Sequence, residues 1–140
     1  MRYQHLSVAD VMSEPPIPIR ERETLAVASE RMQASGTRHL PVVDQHGHLV
    51  GLVASRDLYR ELAREEGRDL RVGEVMTAEV ATVRPATPAC EATLLLLERN
   101  SGALPVGADA GELVGMVTET DFVRLAHVVL GGDRLSSDDK

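Results

Sequence analysis

Two stretches of this chain carry side chains whose types and spacing could do chemistry. Thr118-Glu119-Thr120-Asp121 places a hydroxyl and a carboxylate three residues apart, directly after the apolar run Leu113–Val117. Asp57 follows the apolar run Leu49–Val53 in the same way, with Ala54, Ser55 and Arg56 between. An apolar strand that breaks into a helix leaves N–H groups unpaired at a positive dipole end, which suits an anionic ligand. The same Thr-x-x-Asp spacing is also that of a helix capping box, worth about 1 kcal/mol for the cap. Asp57 in a first helical turn is likewise favoured by the helix dipole alone. On these residues alone both uses stay open.

Other reactive side chains point to less. His46-Gly47-His48 sits between two apolar runs without a cysteine or carboxylate cluster at ligand spacing, so solvated loop histidines are expected there rather than a metal site. Cys90 is the single cysteine, lies near the start of an apolar helical segment and has no paired His, so it reads as a packed small hydrophobe. No nucleophile-base constellation stands out, and no catalytic residue is expected.

Composition narrows the partners. The chain has 140 residues, 43% hydrophobic and 26% charged, and is long enough for a buried core. A net charge of -7 argues against the basic face that nucleic acid requires, and no Trp, one Phe and two Tyr leave no stacking platform for bases. No apolar run approaches the roughly 20 residues of a membrane span, and no signal-peptide segment follows Met1. A cytoplasmic protein with no nucleic acid or membrane partner is the expectation.

The elements that must position these side chains come in duplicate. Shifted by 64 positions, residues 6–60 match residues 70–124 at 16 of 55 positions, where chance gives about a twentieth. Val11-Met12 recurs as Val75-Met76, Leu40-Pro41-Val42 as Leu104-Pro105-Val106, and Gly51 and Asp57 as Gly115 and Asp121. Ser7-Val8-Ala9-Asp10 predicts a capped helical turn ending near Met12. Ile17–Ile19 and Val80–Val83 predict a short first strand, the second copy being better formed because Pro16 and Pro18 interrupt the first. Thr24 caps a helix over Leu25–Met32 with Gly36 as its stop, and Pro88 opens the counterpart, whose Leu94–Leu97 run is core or interface. The runs 40–43 and 49–53 form a hairpin around Gly47, repeated around Gly107–Gly111. Closing helices are expected from Arg56 to about Glu66, and from Glu119 to about Leu130 with Phe122, Val123, Ala126, Val129 and Leu130 as an apolar stripe.

A duplicated β-α-β-β-α unit with Val-Met at its start, Leu-Pro-Val in the middle and Gly-x-Val-x-x-x-Asp at its end resembles a pair of CBS domains, the Bateman module. The resemblance covers residues 6–130. It implies an α/β (α+β) fold of two pseudo-twofold-related units packed through small mixed sheets, with two clefts for adenosine-type ligands such as AMP, ADP, ATP or S-adenosylmethionine. The family's motif is Gly-h-x-Thr/Ser-x-x-Asp, where h is apolar: the Asp accepts from the ribose hydroxyls and the Thr or Ser meets a phosphate. A carboxylate accepts only, so a diol that donates twice complements it. Gly115, Thr118 and Asp121 match fully, whereas the first copy keeps Gly51 and Asp57 but has Ala54 in the hydroxyl position and Ser55 one place late. The resemblance further implies that Asp121 is served by Ser13, Pro16 and Ile17, and Asp57 by Thr77, Val80 and Ala81. Arg38 and His39 resemble the position that supplies positive charge for phosphate, with Arg56 beside them and Gly102-Ala103 in the second copy. On the residues alone, Arg38 and His39 could equally be solvated or paired with Asp44.

The expected domains are residues 1–66 and 67–130, followed by a disordered tail at 131–140. The expected function is a stand-alone regulatory module that binds an adenosine-containing ligand between two CBS units and signals occupancy to a protein partner, as a homodimer of CBS pairs. It needs no cofactor beyond that regulatory ligand. One alternative is a dimerisation scaffold with vestigial clefts, favoured by Ala54, Pro16 and Pro18; another is an enzyme subunit or metal-dependent hydrolase, hinted at only by the histidines.

Overall fold

The computed structural model describes residues 3–99 and 101–133. Residues 134–140, most of the segment expected to be a disordered tail, lie outside the described residues. The fold is α/β: helices α1 (Val8–Val11), α2 (Leu25–Ser35), α3 (Ser55–Leu62), α4 (Val72–Val75), α5 (Ala89–Arg99) and α6 (Glu119–Val129) alternate with strands β1 (Ile19–Arg20), β2 (His39–Val43), β3 (Leu49–Ala54), β4 (Ala103–Gly107) and β5 (Leu113–Thr118). Among the described residues no helix is long and apolar enough to cross a membrane.

The chain folds as two compact units. One gathers the described parts of Met1–Glu14, Ala81–Ala108 and Val114–Lys140; the other is Pro15–Val80 with Asp109–Leu113. These units differ from the repeat boundaries 1–66 and 67–130, because the opening segment of each sequence copy packs in the body of the other. In the first, Val8 N–H donates to Thr87 O at 2.7 Å, Ala9 N–H to Pro85 O at 2.9 Å, and Ser13 and Met116 exchange backbone hydrogen bonds of 2.8 and 2.9 Å. In the second, Val72 N–H donates to Glu23 O at 2.7 Å, Leu25 N–H to Leu70 O at 2.9 Å, and Thr77 and Leu52 exchange bonds of 2.8 and 3.0 Å. Each unit has its own core: Val8, Val83, Ala92, Leu96, Leu104, Val106 and Val117 in one, and Ile19, Leu25, Ala28, Met32, Leu40, Val42, Val53, Leu58 and Val72 in the other. Burying each large aliphatic of this kind contributes about 1.5–3 kcal/mol.

Local signals placed the helices well. The Ser7 N–H donates to Asp10 Oδ2 at 2.8 Å to start α1. Thr24 Oγ1 accepts from Val27 N–H at 3.4 Å to start α2, which ends on Gly36 in the left-handed region at φ 70°. The hairpins also stand as expected, β2 pairing antiparallel with β3 and Gly47 adopting φ 83° in the loop.

Three expectations need correction. The first strand is better formed in the first copy: β1 pairs in parallel with β2 through Ile19↔Val42 and Arg20↔Val43, whereas the second copy makes a single bridge, Val83↔Val106. The ladder continues in the first copy because Glu21 N–H donates to Val43 O at 3.2 Å. The equivalent residue, Pro85, has no N–H to give. Second, α3 ends at Leu62 rather than near Glu66. After Leu58 and Leu62 the next position on that face is Glu66, so a further turn would bury nothing. Instead the chain folds back so that Gly67 lies against the Glu61 carbonyl, too close for any Cβ. Third, the apolar stripe of α6 is only partly covered: Phe122 packs on the core, while Val123, Val129 and Leu130 are exposed large hydrophobics.

Candidate functional site

The strand β5 runs straight into α6, and the junction between them brings two hydroxyl side chains and one backbone N–H onto one carboxylate. Thr118 is the N-cap of α6, its Oγ1 accepting from Asp121 N–H at 3.3 Å. In return Asp121 Oδ2 accepts from Thr118 N–H at 2.9 Å and from Thr118 Oγ1 at 3.2 Å. Asp121 Oδ1 accepts from Ser13 Oγ at 2.9 Å, across 108 positions of sequence. The capping reading of Thr-x-x-Asp is therefore realised in full, and it leaves Oδ1 to be shared with a residue from the start of the chain. Asp121 is only 8% exposed, the one polar or charged side chain among the buried residues described. A buried carboxylate is tolerable only when its oxygens are hydrogen-bonded, as they are here.

What holds Ser13 there is a glycine contact. The Met12 side chain lies over Gly115 so closely that a Cβ on the glycine would stand 2.6 Å from Met12 Sδ and 3.2 Å from Ser13 O. The absence of a side chain at 115 lets Met12-Ser13 lie flat on β5 and form the Ser13↔Met116 bridge. Met76 and Thr77 repeat this contact over Gly51, with a Cβ 2.5 Å from Met76 Sδ and 2.8 Å from Thr77 O. This accounts for the recurrence of Val-Met and Gly at the same offset in both copies.

The copy around Asp57 shares the scaffold and differs in chemistry. Ala54 is the N-cap position of α3 and supplies no side-chain hydrogen bond. Asp57 Oδ1 is paired instead with Arg60 Nη2 at 3.1 Å, one turn further along the helix. Arg38 O accepts from Ser55 N–H at 2.8 Å, so Arg38 and His39 stand beside the start of α3 in the unit that contains Asp57. The matching bond in the other unit runs from Glu119 N–H to Gly102 O at 3.1 Å, where Gly102 and Ala103 stand in place of Arg38 and His39.

The residues anticipated from sequence are thus sorted by the fold. Ser13, Thr118 and Asp121 converge within one unit. Arg38, His39, Ser55, Asp57, Thr77 and Val80 belong to the other unit, with Pro16 and the exposed Ile17. Ala81 packs against the core of the Asp121 unit. Sequence reasoning missed Arg60, although its i, i+3 spacing from Asp57 on a helix was the available signal. An open depression of about 580 Å³ near Arg60, Arg64, Gly67 and Leu70 contains none of the anticipated residues.

The hairpin histidines do not assemble a metal centre: among the described residues no group of three or more His, Cys, Asp or Glu could hold an ion. Asp44 organises that loop, its Oδ1 accepting from His46 N–H at 2.8 Å and His48 N–H at 3.0 Å. The His48 N–H is the largest influence holding the Asp44 carboxyl below its ordinary value of 3.8. Cys90, expected to be packed, is exposed on α5.

The family model for the CBS domain matches residues 8–64 and 72–128. The L-aspartate semialdehyde sulfurtransferase of Methanocaldococcus jannaschii is 32% identical over 118 residues, covering 84% of this chain and 23% of that enzyme. The chain thus spans about a quarter of that relative. Among solved structures, the CBS domain pair of protein MJ0100 in complex with 5'-methylthioadenosine and S-adenosylmethionine has a TM-score of 0.80 at 31% identity, covering 88% of this chain and 97% of that one. CBSX2 in complex with AMP has a TM-score of 0.76 at 28% identity, covering 89% and 98%.

Proposed function

Because the chain belongs to the CBS domain family, we propose that it is a regulatory module that binds an adenosine-containing ligand and reports its occupancy to a protein partner. Similar CBS pairs hold S-adenosylmethionine, 5'-methylthioadenosine or AMP, and the relative that is an enzyme matches only over its CBS part. The observation that carries the reading is the buried Asp121 carboxylate in the first turn of α6, ringed by hydroxyl and N–H donors. A group so arranged accepts from hydroxyls, and Asp121 receives the ribose of the ligand while Thr118 lies toward its phosphate or sulfonium side. No residue of this network acts as nucleophile or base, and the module is not itself catalytic. Occupancy changes the partner only through the difference in ligand affinity between two states of the module.

The module pairs with a second copy of itself. Leu94 and Leu97, three positions apart on α5 and 53% and 78% exposed, support this reading, since exposed aliphatic side chains at helical spacing are apt to be covered in solution.

A dimerisation scaffold without a ligand is the second reading, favoured at the first copy, where Arg60 occupies Asp57 and Ala54 lacks a hydroxyl. Thermal unfolding with AMP, ATP, S-adenosylmethionine and NADH at millimolar concentration separates the two. A ligand at about 100 times its Kd adds about 2.7 kcal/mol to stability. Asp121→Ala is expected to remove more of that stabilisation than Asp57→Ala. No shift with any of the four would overturn the sensor reading in favour of the scaffold.

A further inference from the structure

The Asp121 carboxylate is used more fully than a free ribose acceptor would be. A carboxylate offers about four acceptor directions, two on each oxygen. Oδ2 spends both on Thr118, at 2.9 Å from its N–H and 3.2 Å from its hydroxyl. Oδ1 spends one on the Ser13 hydroxyl at 2.9 Å. One direction is left, on Oδ1. A vicinal diol that donates twice needs two.

The Thr118 bonds are fixed by the start of α6 itself, since they are the capping box of that helix. Ser13 is held in place by backbone bonds of 2.8 and 2.9 Å to Met116, which set its hydroxyl against Asp121 Oδ1 from outside the helix. The second acceptor direction is therefore controlled by Ser13 and by nothing in the helix.

We infer that Ser13 is a specificity-determining residue: its hydroxyl takes the place of one ribose hydroxyl on Asp121, so that the site grips its ligand through one hydroxyl and reads a ribose and a deoxyribose nearly alike. The inference rests on the assignment of Asp121 as ribose acceptor. With a single direction open, a ligand that has lost either its 2'- or its 3'-hydroxyl still presents the other. Removing the serine hydroxyl opens the second direction, strengthens binding of a full diol and leaves a deoxy ligand as it was.

The test is calorimetric titration of AMP, 2'-deoxy-AMP and 3'-deoxy-AMP into the wild-type chain, Ser13→Ala and Ser13→Thr. The wild type is expected to bind the three within about threefold of one another. Ser13→Ala is expected to bind AMP about tenfold more tightly, the worth of one hydrogen bond to a charged acceptor, with both deoxy ligands unchanged. Ser13→Thr, which restores a hydroxyl, should return to wild-type values; a merely structural role for Ser13 would not widen the ratio of AMP to its deoxy forms. Weaker or unchanged AMP binding in Ser13→Ala, or a wild type that already rejects the deoxy ligands by more than about tenfold, overturns the role of Ser13 and leaves the adenosine reading standing. Failure of both wild type and Ser13→Ala to bind any of the three overturns both.

Discussion

Replacing each of the two repeated glycines by alanine should separate their contacts by magnitude. At Gly115 the new Cβ meets Met12 Sδ at 2.6 Å and Ser13 O at 3.2 Å. The sulfur is the outer part of a flexible side chain and can rotate away, and the carbonyl need give only a few tenths of an ångström. At Gly51 the Cβ meets Met76 Sδ at 2.5 Å and Thr77 O at 2.8 Å. Here backbone must shift as well, and Thr77 O is the acceptor of Leu52 N–H at 3.0 Å, so that the bridge is strained with it. Overpacking of this kind costs about 1–3 kcal/mol. Gly115→Ala belongs near the low end and Gly51→Ala at or above the high end. Urea unfolding followed by far-UV circular dichroism measures both. Combining Gly115→Ala with Met12→Ala should recover most of the cost of the glycine change, giving a coupling of about 0.5–1.5 kcal/mol, whereas Met76→Ala should rescue Gly51→Ala much less, because Thr77 O remains. If Gly51→Ala proves the milder substitution, or if Met12→Ala does nothing for Gly115→Ala, the account of how Met12-Ser13 is seated on β5 is wrong.

Two further outcomes are expected. Leu104→Ala, at a side chain 1% exposed in the core, should cost about 2–5 kcal/mol in the same unfolding assay, while Leu97→Ala, 78% exposed, should change monomer stability by less than about 0.5 kcal/mol. Asp44→Ala should lower the melting temperature at pH 7 by removing the acceptor of His46 and His48 N–H. Since the folded carboxyl lies below 3.8, its contribution is complete above that value and lost as pH falls through the folded pKa, so the gap between wild type and variant should close in melts run at pH progressively below 3.8.

Much of this protein was legible from its sequence because the deciding interactions are short in sequence. The capping boxes at Ser7 and Thr118, the left-handed stop at Gly36 and the hairpin at Gly47 each depend on residues within four positions of one another, and all four formed. The repeat offset of 64 fixed which glycines, methionines and carboxylates play equivalent parts. Even the unread pairing of Asp57 with Arg60 was local and could have been found. Tertiary structure alone decided which N–H each ladder calls on: Glu21 donates to Val43 O in the first copy, whereas at the equivalent place Pro85 has none to give, so that β1 forms and its counterpart shrinks to one bridge. It decided that the opening segment of each copy packs in the body of the other. And it decided that one acceptor direction of Asp121 Oδ1 is already taken, since a hydroxyl 108 positions away reaches it only after Met12 has settled on a glycine that has no side chain to refuse it.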